Sequence, residues 1–95
     1  MSRKASIKAG IPAYNEEKYI AKVVLKARRH VDEVIVVNDG PTDMTCEIAK
    51  ALGATVINRP RNMGYGAALR TLFLEARKRD PDALVVLDAD DQHDP

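Results

Sequence analysis

A chain of 95 residues with 45% hydrophobic and 31% charged side chains has the composition of one modest globular domain, able to bury only about 60 to 65% of its unfolded surface. Its 15 basic and 14 acidic side chains leave a formal net charge of +1 and are mixed along the chain, which does not suggest a nucleic-acid binder. No apolar run approaches the roughly 20 residues of a membrane span, and the basic opening Met1-Ser2-Arg3-Lys4 is not followed by the apolar stretch of a secretory signal.

Ala5 to Ile11 reads as a first strand, ended by Pro12, which lacks the N–H that a central strand uses. Asn15 followed by Glu16 and Glu17 reads as an N-cap with acids at the positive end of a helix. Ile20, Val23, Val24 and Ala27 recur at helical spacing, which predicts a first helix from about Glu16 to Arg29. Val34 to Val37 is a compact β-branched run, the second strand, closed by the turn residues Asn38-Asp39-Gly40-Pro41.

Thr42 or Asp43 is placed to cap a second helix, in which Ile48, Ala49 and Leu52 form an apolar stripe before Gly53 supplies a stop. Cys46 lies in this helix, where a buried structural thiol is a better reading than a nucleophile. As the single cysteine it excludes an internal disulfide and fits a reducing, cytoplasmic compartment. Thr55 to Ile57 is the third strand. A loop from Asn58 to Met63 leads into Gly64-Tyr65-Gly66 and a third helix, with Ala68, Leu69, Leu72, Phe73 and Ala76 on its inner face and Arg77-Lys78-Arg79 at its basic end. Asp80-Pro81-Asp82 turns the chain into a fourth strand, Leu84 to Leu87, whose unbroken apolar run predicts burial on both faces.

Strands and helices alternating with short connections predict an α/β, Rossmann-like three-layer sandwich: a four-stranded, mainly parallel sheet with three helices, in one domain spanning 1–95. Such sheets bind ligands beyond the carboxyl ends of their strands, so the acids found there are the candidate site. Asp88 and Asp90, one residue apart after the fourth strand, are placed to hold a hard divalent cation through oxygen. Tyr14 can cover a base and Glu16 can accept hydrogen bonds from ribose hydroxyls, although the same stretch also serves as a proline turn and helix cap. Asp39 can accept from a base N–H or a ribose hydroxyl, and Asn-Asp-Gly-Pro is equally an ordinary turn. Gly64 and Gly66 permit close backbone approach to a diphosphate at a helix N-terminus. Arg59, Arg61 and Arg70 form a local basic group able to meet a phosphate, and His93 is a weak further metal candidate.

Four motifs in order resemble one family. Ile11-Pro12-Ala13-Tyr14-Asn15-Glu16-Glu17, Val36-Val37-Asn38-Asp39-Gly40, Asn62-Met63-Gly64-Tyr65-Gly66-Ala67-Ala68 and Leu87-Asp88-Ala89-Asp90, with Gln92-His93-Asp94-Pro95 after it, are similar to the nucleotide-binding half of family 2 glycosyltransferases. The likeness is greatest to polyprenyl-phosphate transferases of the dolichol-phosphate mannose synthase type. It implies a truncated GT-A fold with strand order 3-2-1-4, Mg²⁺ or Mn²⁺, and a UDP- or GDP-linked sugar as ligand. By position, Pro12, Ala13, Tyr14 and Glu16 would contact base and ribose together with Val37 and Asp39. Asp88 and Asp90 would form the Asp-X-Asp motif, with Asp90 nearest the metal, Ala89 contacting the nucleotide through its backbone, and Gln92 assisting.

The resemblance also implies that an acceptor-binding half, carrying the general base, lies beyond residue 95, so that no catalytic residue is expected within the chain. The parent of such a fragment is often membrane-associated. Three residues depart from the pattern: Asn38 where Asp is common, Pro41 where Ser is usual, and Asp91, a possible extra metal ligand, where Gly is common. The loss of an outer neighbour would expose strand four and favour self-association through its edge. Two other readings stand beside the transferase: a noncatalytic nucleotide-binding or assembly module, and a dinucleotide-dependent oxidoreductase. The last is disfavoured because Leu69 breaks the G-x-G-x-x-G/A fingerprint.

Overall fold

The computed structural model describes residues 5–40 and 43–89. Its second strand, β2 (Glu33–Asp39), shows why the sheet lies at the centre of the molecule. Val34 and Val36 enter one apolar cluster and Ile35 and Val37 another, so a run of β-branched residues with period two is buried on both faces. The remaining elements are β1 (Ile7–Ala13), α1 (Ile20–Ala27), α2 (Thr45–Ala51), β3 (Thr55–Arg59), α3 (Tyr65–Arg79) and β4 (Ala83–Val86).

All strand pairings are parallel and the order is β3-β2-β1-β4, as the sequence and its resemblance predict. The larger cluster joins Ile20, Val23, Val24 and Ala27 of α1 and Ala49 of α2 to β1 and β2. On the other face Ala68 and Leu72 of α3 meet Ile35 and Val37. The chain steps from β1 toward β3 with helices on one face, then returns to β4 with α3 on the other, as right-handed crossovers require. The order therefore reverses beside β1, the position at which open α/β sheets form a crevice beyond their carboxyl ends.

Close packing of α3 depends on Gly10. A Cβ there would lie 2.4 Å from a methyl carbon of Leu72, which is fully buried, so only glycine lets helix and strand meet at this distance.

Several boundaries differ from the sequence expectation. β1 runs through Pro12, which pairs with Val37, instead of ending before it. The Leu87 N–H donates to the Gly10 carbonyl, so the even-numbered residues of β1 turn their backbone polar groups toward β4. Pro12 reaches that side only after β4 has ended, and its missing N–H deprives no strand of a partner. Helix α1 begins at Ile20, not Glu16: Asn15 takes φ 52°, and the Tyr19 and Ile20 N–H groups donate to the Glu16 carbonyl in a preceding turn. Phe73 is half-exposed and does not belong to the inner face of α3, where Ala68, Leu72 and Ala76 are buried and Leu69 packs against the same cluster.

Strand β4 is not buried on both faces. Val85 is 45% exposed and, with Ile7, Ala9, Ala27, Val31 and Leu87, lines an apolar groove of about 460 Å³ that α1 leaves uncovered, rimmed by Lys26, Arg29 and His30. Cys46 is buried, as expected, and accepts a hydrogen bond from Asn58 Nδ2 at 3.3 Å. Asn38 is fully buried and its Nδ2 donates to Asn58 Oδ1 at 3.2 Å, a bond that an aspartate has no proton to make.

At the amino edge of the sheet Glu33 gathers four elements. Its carboxylate accepts from Thr55 Oγ1 at 2.8 Å and Arg79 Nε at 2.9 Å and lies 3.6 Å from Lys8 Nζ. Burial raises the pKa of this carboxyl, but the hydrogen bonds from Thr55 and Arg79 and the charges of Arg79 and Lys8 outweigh it and leave the net value below the ordinary 4.5.

Candidate functional site

The carboxyl ends of β1, β2 and β4 and the loop before α3 enclose a cleft of about 310 Å³. Pro12, Ala13, Tyr14, Glu16, Asp39, Asn62, Gly64, Tyr65, Ala68, Asp88 and Ala89 line it. Seven of the residues singled out for nucleotide binding, Pro12, Ala13, Tyr14, Glu16, Asp39, Asp88 and Ala89, thus meet in one opening, joined by Gly64. Val37 does not line it: the side chain is fully buried beneath α3, and only its backbone is left for any contact at the rim. Gly66 is also absent from the lining. Asp90, Asp91, Gln92 and His93 lie outside the described residues, as do Pro41 and Thr42.

Tyr14 is 41% exposed and packs over Gly40. Gly40 has φ 102°, and a Cβ there would come within 3.2 Å of both Tyr14 Cε1 and the Asn62 backbone nitrogen. The end of β2 therefore carries a residue with no side chain directly beneath the aromatic wall. Asp39 is buried to 3% exposure. Its carboxylate accepts from the Met63 N–H, at 3.3 Å on Oδ1 and 3.2 Å on Oδ2, and pairs with Arg59 Nε at 2.9 Å.

That Arg59 contact is a close charge pair without a hydrogen bond along Nε–H, since the N–H is not aligned on the oxygen. Arg59 Nη1 donates to the Ala67 carbonyl at 2.9 Å and to Thr71 Oγ1. The expectation that Arg59 meets a phosphate is therefore corrected: its guanidinium is turned inward, joining the ends of β2 and β3 to the first turns of α3. The sequence also did not single out Tyr65 and Ala68 as lining residues, nor Asn62, although all three fall in or beside the Gly64-Tyr65-Gly66 motif. Asn62 Oδ1 accepts from the Gly64 N–H at 2.9 Å and so shapes the approach to α3.

Two loops are tied together behind the cleft. The Glu16 N–H donates to Thr45 Oγ1 at 3.1 Å and the Glu17 N–H to Asp43 Oδ2 at 3.2 Å, while the Met44 N–H donates to Glu17 Oε1 at 2.9 Å. Asp43 Oδ1 accepts from both the backbone N–H (3.0 Å) and hydroxyl (2.6 Å) of Thr45. Asp43 thus satisfies an early amide of α2, although the residue at the N-cap position is Met44. Burial raises the Asp43 pKa, but these hydrogen bonds outweigh it and leave the net value below the ordinary 3.8.

No group of three His, Cys, Asp or Glu side chains converges to hold a metal among the described residues. Asp88, exposed at the cleft, offers the hard oxygen donor that Mg²⁺ or Mn²⁺ requires, so the described part of the donor set fits such an ion. Among the described residues no helix is long and apolar enough to cross a membrane.

The chain is similar to known proteins in sequence and in fold. The chain is 36% identical over 103 residues to a UDP-N-acetylglucosamine–dolichyl-phosphate N-acetylglucosaminyltransferase of Methanococcus voltae, covering 90% of this chain and 41% of that protein. It is 35% identical over 96 residues to a dolichyl-phosphate beta-glucosyltransferase of Trichomonas vaginalis, covering 84% of this chain and 28% of the relative. The fold matches glucosyl-3-phosphoglycerate synthase from Mycobacterium tuberculosis, solved with Mn²⁺, UDP and glucosyl-3-phosphoglycerate. The TM-score is 0.73 and the identity 31%, over 90% of this chain and 33% of that structure. The chain therefore spans between 28 and 41% of the length of these relatives. Residues 9–95 match the family described as Glycosyl transferase family 2, and with that match across nearly its whole length the chain belongs to this family.

Proposed function

We propose that the chain is the donor-binding part of a glycosyltransferase, taking a UDP- or GDP-linked sugar together with Mg²⁺ or Mn²⁺ for transfer to a polyprenyl-phosphate acceptor. The observation that carries the reading is the single cleft at the strand-order reversal, into which Tyr14, Glu16, Asp39, Asp88 and Ala89 are drawn from three different strand ends. Tyr14 covers the base, Asp39 accepts from a base N–H or ribose hydroxyl, Glu16 accepts from the ribose, and the Ala89 backbone supports the nucleotide. Pro12, Ala13 and the Val37 backbone complete the wall, and Gly64 leaves room for the diphosphate at the start of α3.

Asp88 and Asp90 would hold the metal, with Gln92 assisting nearby and Asp91 able to add a ligand. When bound there, such an ion would supply positive charge to offset that of the diphosphate leaving group. The acceptor-binding half, with the general base, is assigned to sequence outside these 95 residues, and a cytoplasmic location is part of the same proposal. The relatives that act on dolichyl phosphate support the acceptor class, and the UDP- and Mn²⁺-bound synthase supports the donor and ion.

An NMR titration with UDP and with GDP, each with and without Mg²⁺, tests the reading. Metal-dependent shifts at Tyr14, Asp39 and Asp88 are expected, and the tighter nucleotide names the base. No response at about millimolar ligand, a binding free energy weaker than about 4 kcal/mol, overturns it. The position of β4 at the outside of the sheet, with Val85 exposed, supports a second part of the proposal, self-pairing of two copies through this strand. A monomer at every concentration in light scattering would refute that part.

A further inference from the structure

We infer that Asp43, Thr45 and Glu17 are positioning residues, a clasp between the loop after β1 and the start of α2 that fixes how Tyr14 and Glu16 face the cleft. The inference rests on the donor-site reading for what the clasp serves, but its geometry stands independently. None of the three lines the cleft. Each instead binds backbone of the opposite loop. The Thr45 hydroxyl takes the Glu16 N–H, Asp43 takes the Glu17 N–H, and Glu17 returns the contact by taking the Met44 N–H.

The exchange is reciprocal, so neither loop can shift without breaking bonds on both sides. It is also saturated at its centre: Thr45 is fully buried, and its hydroxyl accepts from Glu16 while donating to Asp43. The segment held this way needs such support, because α1 starts only at Ile20 and the stretch from Asn15, at φ 52°, to Tyr19 belongs to no regular helix. A carboxylate or ring must hold its place to within about half an ångström to act in a binding site.

The test uses the 95-residue chain with Thr45→Val, which keeps the shape and removes the hydroxyl, and Thr45→Ser, which restores it. In the ligand-free protein, Thr45→Val is expected to speed amide exchange at Glu16 and move the Tyr14 resonances, leaving the Glu33 and Arg79 signals in place. With UDP and Mg²⁺ it is expected to weaken binding by roughly five- to tenfold, as loss of one buried hydrogen bond implies, with recovery in Thr45→Ser. Unchanged exchange at Glu16, or unchanged UDP affinity in a folded Thr45→Val protein, overturns the inference. If the unsubstituted chain binds no UDP, the donor-site reading fails, and amide exchange at Glu16 alone still decides whether the clasp orders the segment.

Discussion

The two edges of the sheet are tied by the same chemistry and put to different use. At the amino edge Glu33 collects Lys8, Thr55 and Arg79, Asp32 accepts the Ile7 N–H at 2.7 Å, and Asp82 accepts the Ser6 N–H at 2.6 Å. At the carboxyl edge Asp39 and Asp43 do similar work, but there the bonds tie together the loops that border a cleft. Backbone conformation makes the same distinction. The left-handed residues Gly53 and Asp80 end α2 and α3, whereas Asn15, Gly40 and Gly64 lie in the loops that leave β1, β2 and β3. A residue of this kind at the amino edge terminates a helix; at the carboxyl edge it turns a loop beside the cleft.

The largest effect should erase the difference by reaching both edges at once. Leu72 is fully buried and joins α3 to the sheet midway between them. Leu72→Ala is expected to cost about 2 to 5 kcal/mol, a large part of what a domain of this size has, and urea denaturation should show it. Loss of less than about 1 kcal/mol would mean that the α3 layer contributes little to holding the edges together.

Gly40→Ala should act at the carboxyl edge. The required φ of 102° and the 3.2 Å approaches to Tyr14 and Asn62 make even one methyl group costly, by about 1 to 2 kcal/mol. UDP affinity should fall by about the corresponding five- to thirtyfold, because the strain is relieved by moving the aromatic wall. Retained affinity in a folded variant would show that Tyr14 does not take part. Glu33→Ala is the opposite case. Arg79 keeps its bonds to the Glu75 carbonyl at 2.7 Å and carboxylate at 3.4 Å, so a loss of only about 1 kcal/mol is expected. Calorimetry should find lower stability with unchanged nucleotide affinity; a change in affinity would mean that the edges are coupled through the strands.

The elements themselves were legible because β-branched runs and helical spacing are local signals, as in Val34 to Val37. Strand order was readable only through the resemblance of the four motifs. What remained hidden depends on neighbours distant in sequence. Pro12 continues β1 because β4 stops short of it, and Arg59 turns inward because Asp39 and the start of α3 await it. Phe73 fits an apolar stripe by spacing, yet it is half-exposed while Leu72 beside it fills the space against Gly10. At the site, seven of the residues named for the nucleotide meet in the cleft, whereas Val37, although on β2, does not line it. The clasp was not legible, since Glu16 and Thr45 are 29 residues apart and nothing in either loop announces the other.

Acid should separate the edges by a smaller effect. Glu33 and Asp43 both bind their protons less readily in the folded chain than their ordinary values of 4.5 and 3.8 imply. The unfolded chain therefore takes up protons first as pH falls. Each group contributes stability above its unfolded pKa and loses it as pH drops through the lower folded value. Denaturation measured from about pH 6 to about pH 3 should show a gradual decline, with the Glu33 part beginning at higher pH than the Asp43 part. Glu33→Gln should flatten the upper part of the decline and Asp43→Asn the lower. Amide exchange at Glu16 should follow only the second, because protonating Asp43 loosens the clasp while protonating Glu33 leaves it intact. Exchange at Glu16 that instead tracks the Glu33 step would mean that the clasp has no stability of its own and opens only with the sheet.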